Sequence, residues 1–288
     1  MLLRVAQKAL NGTTRELRNR FPMGFWISVA SSMGSGIFEY TPKSGSLAGA
    51  LLRLPVDEFI FPYVMAHGSW QPEHHRRLGK HVTGDSTLVD IGANLGLYTR
   101  QMFHDFPQLR RAVCFEPDGA NFALMKQNLA HLESKSCLVQ AALAAETGSA
   151  TLHRDPVNVG NYSLLQSATG PAARATVPTL AISDGEEIVE REAQGGSLVY
   201  KSDTQGYDEY IACHFSDRFW GRVSAAAMEL WQLPGKPALD EARFGAVLAQ
   251  FPRRELTGRP GRNLAVEEVI RFARATSGED ADLFLSRA

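Results

Sequence analysis

This sequence predicts an α/β fold: a mostly parallel, seven-stranded sheet with helices on both faces. Two observations carry the prediction. From residue 85 onward, short apolar runs alternate with segments whose apolar residues recur at helical spacing, and strands that alternate with helices pair in parallel across helical crossovers. Two of the runs also deliver an acid just before a glycine or proline break, in Leu88-Val89-Asp90-Ile91-Gly92 and in Ala112-Val113-Cys114-Phe115-Glu116-Pro117. Open parallel sheets bind their ligands beyond such strand ends.

Residues 1–80 read as an amino-terminal cap region of mixed helical and extended character. Met1 to Arg20 carries Arg4, Lys8, Arg15, Arg18 and Arg20 against Glu16 alone. Such a basic amphipathic stretch is usually a helix with a solvated face, and it can also lie on an anionic membrane surface. It lacks the continuous apolar core of a secretion signal. Gly34-Ser35-Gly36 and Lys43-Ser44-Gly45-Ser46 read as loops, and Phe38-Glu39-Tyr40 as a short strand. The aromatic-rich stretch from Asp57 to Ala66 is expected to pack over a neighbour, and Trp70 to Leu78 is expected to form a helix entered through Pro72.

The domain predicted for 81–288 has strands at 87–91, 112–116, 137–141, 197–203, 223–229, 251–257 and 281–286. Its helices are expected near 95–104, 119–132, 206–219, 239–250 and 264–276. An insertion spans about 146–196, with extended pieces at Ala150–His153 and Ala175–Leu180. An insertion of that length in a compact domain is usually functional or disordered, and its place makes it a candidate substrate cover.

The 288 residues are ordinary for a globular protein, with 44% hydrophobic and 21% charged residues. A net charge of −1 gives no broad attraction for phosphate backbones, so a nucleic-acid partner is not expected. Cys114, Cys137 and Cys213 are scattered and odd in number; they suit a reducing, cytoplasmic setting better than a disulfide framework or a zinc site. No apolar run approaches the roughly 20 residues of a spanning helix.

The segment Asp90-Ile91-Gly92-Ala93-Asn94-Leu95-Gly96 says most about function. Gly92 and Gly96 permit a tight turn, and a helix start offers N–H groups to a carboxylate. A dinucleotide site wants G-x-G-x-x-G, and here Asn94 stands where that pattern has its second glycine. The turn suits S-adenosylmethionine better: a carboxylate such as Asp90 can hold its ammonium, and backbone amides its carboxylate. Any strand–turn–helix of an α/β protein remains the alternative. Glu116 follows Asp90 by 26 residues at the end of the next strand, where a carboxylate accepts both ribose hydroxyls of a nucleotide.

Together with Phe115-Glu116-Pro117, Asn121-Phe122 and Asn128-Leu129, this segment resembles the FkbM family of S-adenosylmethionine-dependent methyltransferases. A third block agrees with it: Leu198-Val199-Tyr200-Lys201-Ser202-Asp203-Thr204-Gln205-Gly206-Tyr207-Asp208, followed by a strand ending at Glu229. The likeness covers roughly residues 85 to 230. Ser202 departs from the apolar residue usual there, and Asp208 from the usual Glu. The resemblance implies a class I methyltransferase sheet with a terminal antiparallel strand, and methyl transfer to a hydroxyl oxygen of a sugar or secondary metabolite.

On this reading the cofactor residues are Asp90, Gly92, Ala93, Asn94, Gly96, Glu116, Pro117 and Asn121, with Ala141 and Ala142 flanking the adenine. Asp203 is the first candidate for a base, Lys201 for its charge partner or a substrate contact, and Glu229 for a second carboxylate. Lys201 and Asp203 lie on alternate strand positions and also suit a purely structural pair. Gln205, Tyr162, Ser163 and His74 are candidate substrate contacts, and no metal is implied. The expected partner is a small-molecule or glycan hydroxyl acceptor. A non-catalytic S-adenosylmethionine-binding module and a nicotinamide-dependent oxidoreductase are the rival readings.

Overall fold

The computed structural model describes residues 36–169, 173–258 and 261–287. The expected basic helix at Met1 to Arg20, and Gly34 and Ser35 of the first loop, lie outside the described residues.

The principal sheet has seven strands. Its centre is β3 (Thr87–Ile91), flanked on one side by β4 (Arg111–Phe115) and then β5 (Ser136–Val139). On the other side lie β9 (Leu198–Ser202), β10 (Val223–Trp231), β12 (Asp280–Ser286) and β11 (Arg253–Leu256). The pairs among β5, β4, β3, β9 and β10 are parallel, whereas β12 runs antiparallel to both β10 and β11. Chain order reverses at β3, so the carboxyl ends of β3 and β9 flank a topological switch point, where ligand crevices form.

Strand periodicity explains the two cores. Val89, Ile91, Val113 and Phe115 face one layer, and Leu88, Ala112 and Cys114 face the other. The first layer is closed by the helices at 182–193, 208–214, 241–249 and 266–273, the second by those at 72–79, 97–105 and 119–128. Asp90 and Lys201 fall on the second face, within strands whose five residues are all buried. A third cluster joins the amino-terminal section to the rest. The hairpin β1 (Ile37–Tyr40) and β2 (Leu52–Pro55), with the helix at Ile60–His67, packs onto Leu95, Leu97 and Leu124.

Several sequence expectations change in detail. The strand expected at 137–141 ends at Val139, which leaves Ala141 in a turn. The helix expected at 206–219 is two helices, Asp208–His214 and Asp217–Arg222. Ser216 separates them, and its hydroxyl caps the second by accepting the Phe219 N–H. Within 146–196, β7 (Gly148–Arg154) and β8 (Ala173–Ala181) pair antiparallel, and β6 (Ala142–Ala144) joins β8 in parallel. The stretch then ends in a twelve-residue helix, Ile182–Ala193, which was not anticipated; it packs against the sheet as the crossover into β9. Among the described residues no helix is long and apolar enough to cross a membrane.

Candidate functional site

The turn after β3 is built by necessity from glycine. Gly92 has φ +72°, and a Cβ there would lie 2.0 Å from the carbonyl oxygen of Asp203. The Asp203 N–H in turn donates to the Ile91 carbonyl. The loops following β3 and β9 therefore touch backbone to backbone, which only a residue without a side chain allows. Gly96, at φ +74°, begins the helix Leu97–Asp105.

The turn's amides are largely paired within the protein. Gly92 and Ala93 both donate to the Phe115 carbonyl, Gly96 donates to Ala93, and the Asn94 N–H donates to Glu116 Oε2 at 2.8 Å. The expectation that these N–H groups hold a ligand carboxylate is thus corrected at four positions. Glu116 Oε1 accepts the Asp118 N–H at 2.8 Å. Burial raises the Glu116 carboxyl to about 7 against the lowering effect of these two bonds.

A cavity of about 690 Å³ opens at the carboxyl ends of the strands, within the roughly 300–1,000 Å³ usual for small-molecule sites. It brings together Gly92, Ala93, Asn94, Glu116, Pro117, Asn121, Ala141, Ala142, Lys201, Asp203, Gln205, Glu229 and Tyr162. Four sequence candidates do not line it: Asp90, Gly96, Ser163 and His74.

Each of the four is explained by its contacts. Asp90 is wholly buried; its Oδ2 accepts the Thr99 hydroxyl at 2.7 Å and its Oδ1 lies 3.1 Å from Lys201 Nζ. Its carboxylate is thus engaged below the cavity floor. Gly96 lies against Leu129 and Met125. Ser163 fastens the 146–196 stretch to the loop after β9 by donating to the Gln205 carbonyl at 2.7 Å. His74 is buried behind the wall, its Nδ1 3.2 Å from the Tyr98 hydroxyl. Burial, with help from the Lys201 charge, pushes its imidazole down to about 3. Burial and neighbouring carboxylates push Asp282 up to about 7. Their contact at 3.7 Å is therefore not a pair of full charges at neutral pH.

Lys201 makes its ion pair with Asp90, not with the Asp203 expected from alternate strand positions. Its ammonium also donates to the Gly92 carbonyl at 2.8 Å, so it supports the glycine turn from below. Burial opposes its charge, but Asp90 and Asp203 outweigh burial and raise its pKa. Asp203 Oδ1 accepts the Gln205 amide at 2.6 Å. Glu229 Oε2 is sealed from solvent with no hydrogen-bond partner. Burial, then Asp203 and the other nearby carboxylates, raise the Glu229 carboxyl well above its ordinary value.

The cavity's other wall comes from residues 155–162 of the insertion expected as a substrate cover, with Phe59 and Ile60, whose part in it the sequence reading did not name. The Val159 carbonyl accepts the side-chain amides of both Asn94 and Asn121 at 3.1 and 3.3 Å. Asp57 accepts the Val159 N–H at 3.4 Å while capping the helix Ile60–His67 through the N–H groups of Ile60 and Phe61. Asp57 three residues before an apolar helix was a legible capping signal; its reach to residue 159 was not. Trp231 and Asp280 also line the cavity. Among the described residues no group of three or more His, Cys, Asp or Glu is arranged to hold a metal ion.

The chain was compared with known proteins. No family model matches it, and no curated protein matches it. An rRNA methylase from Streptococcus thermophilus aligns with 75% of this chain and 94% of its own, at 9% identity and a TM-score of 0.39. The METTL16 methyltransferase domain aligns with 93% of each chain, at 12% identity and a TM-score of 0.41. A methyltransferase FkbM from Methylobacillus flagellatus aligns with 77% of this chain and 52% of its own, at 12% identity and a TM-score of 0.37. These are distant likenesses, and the architecture is read from the chain's own strand order. With a reversal at β3 and a single antiparallel strand inserted beside β10, the chain has the class I methyltransferase fold.

Proposed function

We propose that this protein binds S-adenosylmethionine and transfers its methyl group to a hydroxyl oxygen on a sugar or secondary metabolite, as the FkbM resemblance implies. The observation that carries the reading is Glu116. It stands at the carboxyl end of β4 on the cavity wall, with each carboxylate oxygen accepting one backbone N–H. Lone pairs remain for two neighbouring ribose hydroxyls. The small side chains of Ala141 and Ala142 leave room for a flat ring, and Asn94 Oδ1, buried without a partner, is an acceptor a ligand donor can satisfy.

When bound, the cofactor supplies an electrophilic methyl carbon on a sulfonium. The protein's part is to align an acceptor oxygen with that carbon and to take its proton as the bond forms. Asp203 is the group proposed for the proton, held by Gln205 at the cavity floor. Glu229, whose carboxyl is raised by burial and then by the neighbouring acids, is proposed to contact the acceptor and not to act as the base. Lys201 is proposed to position the Gly92 turn, because its ammonium is engaged by Asp90 and the Gly92 carbonyl.

The test is calorimetric titration of the full chain with S-adenosylhomocysteine, with NAD as the control. Micromolar binding of the first and none of the second is expected, followed by cofactor consumption with a pool of hydroxylated acceptors. Binding without consumption would favour the non-catalytic module, and no binding would sink the cofactor reading.

A further inference from the structure

The cavity is strongly one-sided in charge. Of the ionisable side chains that line it among the described residues, Glu116, Asp155, Asp203, Glu229 and Asp280 are acids, and Lys201 is the base. The Lys201 ammonium lies 3.1 Å from Asp90 Oδ1, and among the described residues no Arg or second Lys lines the cavity. At that end Glu229 opposes Asp282, and Trp231 opposes Asp280, across the β10–β12 pair. Glu229 Oε2 is buried there without a hydrogen-bond partner. Tyr207 joins Trp231 on the cavity wall, and the two pack against a shared cluster with Leu165 and Leu233.

Carboxylates that converge with an indole and a phenol make a site for a positive charge. Ring faces attract cations, and a cation also offsets the repulsion among the acids. A neutral sugar hydroxyl would satisfy Glu229 but would leave the accumulated negative charge uncompensated, and an anionic acceptor would be repelled.

Resting on the methyltransferase reading above, we propose that the acceptor carries a cationic group, an amine or quaternary ammonium, which docks among Asp203, Glu229 and Asp280 against Trp231 and Tyr207. The acceptor class is thus narrowed from hydroxylated molecules in general to hydroxylated cations. Burial first, and the surrounding acids after it, raise the Glu229 and Asp282 carboxyls, and a cation at this end would offset the second of these causes.

The test compares two probes of the same shape, choline and its uncharged isostere 3,3-dimethylbutan-1-ol, by ligand-observed NMR on the full chain saturated with S-adenosylhomocysteine. Choline is expected to bind at least about tenfold more tightly, a difference of about 1.4 kcal/mol. Asp280→Asn, at an exposed strand end, and Trp231→Leu should each weaken choline at least about threefold, and Trp231→Phe should retain it. S-adenosylhomocysteine affinity should stay within twofold in all three variants.

Equal binding of the two probes, or no binding of either, overturns the proposal. So does an Asp280→Asn variant that loses affinity for S-adenosylmethionine but not for choline, since the acids would then serve the cofactor's sulfonium. Failure of S-adenosylhomocysteine to bind is a separate result and counts against the methyltransferase reading itself.

Discussion

Lys201 and Asp90 stand directly opposite one another on β9 and β3, with the ammonium nitrogen 3.1 Å from Oδ1 and both side chains buried. This pair holds together the two strands at the switch point and, through the Gly92 carbonyl, the turn above them. Removing one partner of a buried pair leaves the other charge uncompensated, at roughly 3–5 kcal/mol. Lys201→Met and Asp90→Ala are each expected to lower stability by about that amount in urea unfolding. Full stability in either variant would show that the pair is not structural.

Gly92→Ala should be nearly as damaging. The added methyl meets the Asp203 carbonyl at 2.0 Å, and the residue must hold φ +72°. Strained backbone of this kind costs roughly 1–3 kcal/mol before the clash is counted. The expected outcome is a loss of at least about 2 kcal/mol in chemical denaturation, with S-adenosylhomocysteine affinity reduced more than tenfold.

Asp57 joins a helix cap to the cavity wall. Asp57→Ala removes acceptors for the Ile60, Phe61 and Val159 N–H groups, which should cost about 1–2 kcal/mol. Hydrogen exchange should quicken at both Phe61 and Val159, two positions far apart in sequence. Acceleration at Phe61 alone would mean that Asp57 does not restrain the 155–162 loop.

The Asp282 carboxyl gives the fold a pH dependence of definite sign. Burial and the surrounding acids raise Asp282 from 3.8 to about 7. The folded state thus retains a proton that the unfolded chain releases. This contribution to stability is full below pH 3.8 and is lost as pH rises through about 7. Asp282→Asn should therefore raise Tm relative to the unaltered protein by about 2–4 °C more at pH 8 than at pH 4. A gain that does not change between those two pH values would contradict the assignment.

Asp203→Asn separates chemistry from binding. S-adenosylhomocysteine affinity should remain within a few fold, while methyl transfer to any active hydroxyl acceptor should fall by roughly 10²-fold or more. Unchanged turnover would remove Asp203 from the proton-transfer role.

Apolar periodicity and the acids at strand ends made the sheet legible. Thr87–Ile91 and Arg111–Phe115 were readable because each is a short apolar run closed by a glycine or proline break. Such signals are local in sequence. The crossover helix Ile182–Ala193 was hidden because its first turn, Ile182-Ser183-Asp184-Gly185, reads as a loop. Gly185 is there to admit Leu143, whose Cδ2 lies 2.7 Å from the position a Cβ would take. Only the packed partner explains that choice.

The same division runs through the site. From the sequence alone came the glycine turn, Glu116 and the Lys201–Asp203 strand end, because each is a residue type demanded by a local backbone event. Tertiary structure decided their partners: Lys201 with Asp90 across a parallel pair, His74 buried behind Tyr98, and Val159 held between Asn94 and Asn121. Distances between residues far apart in sequence depend on register and packing, and neither is written in any single segment. The sequence determined which groups stand at the strand ends; the fold determined which of them face the cavity and which hold it up.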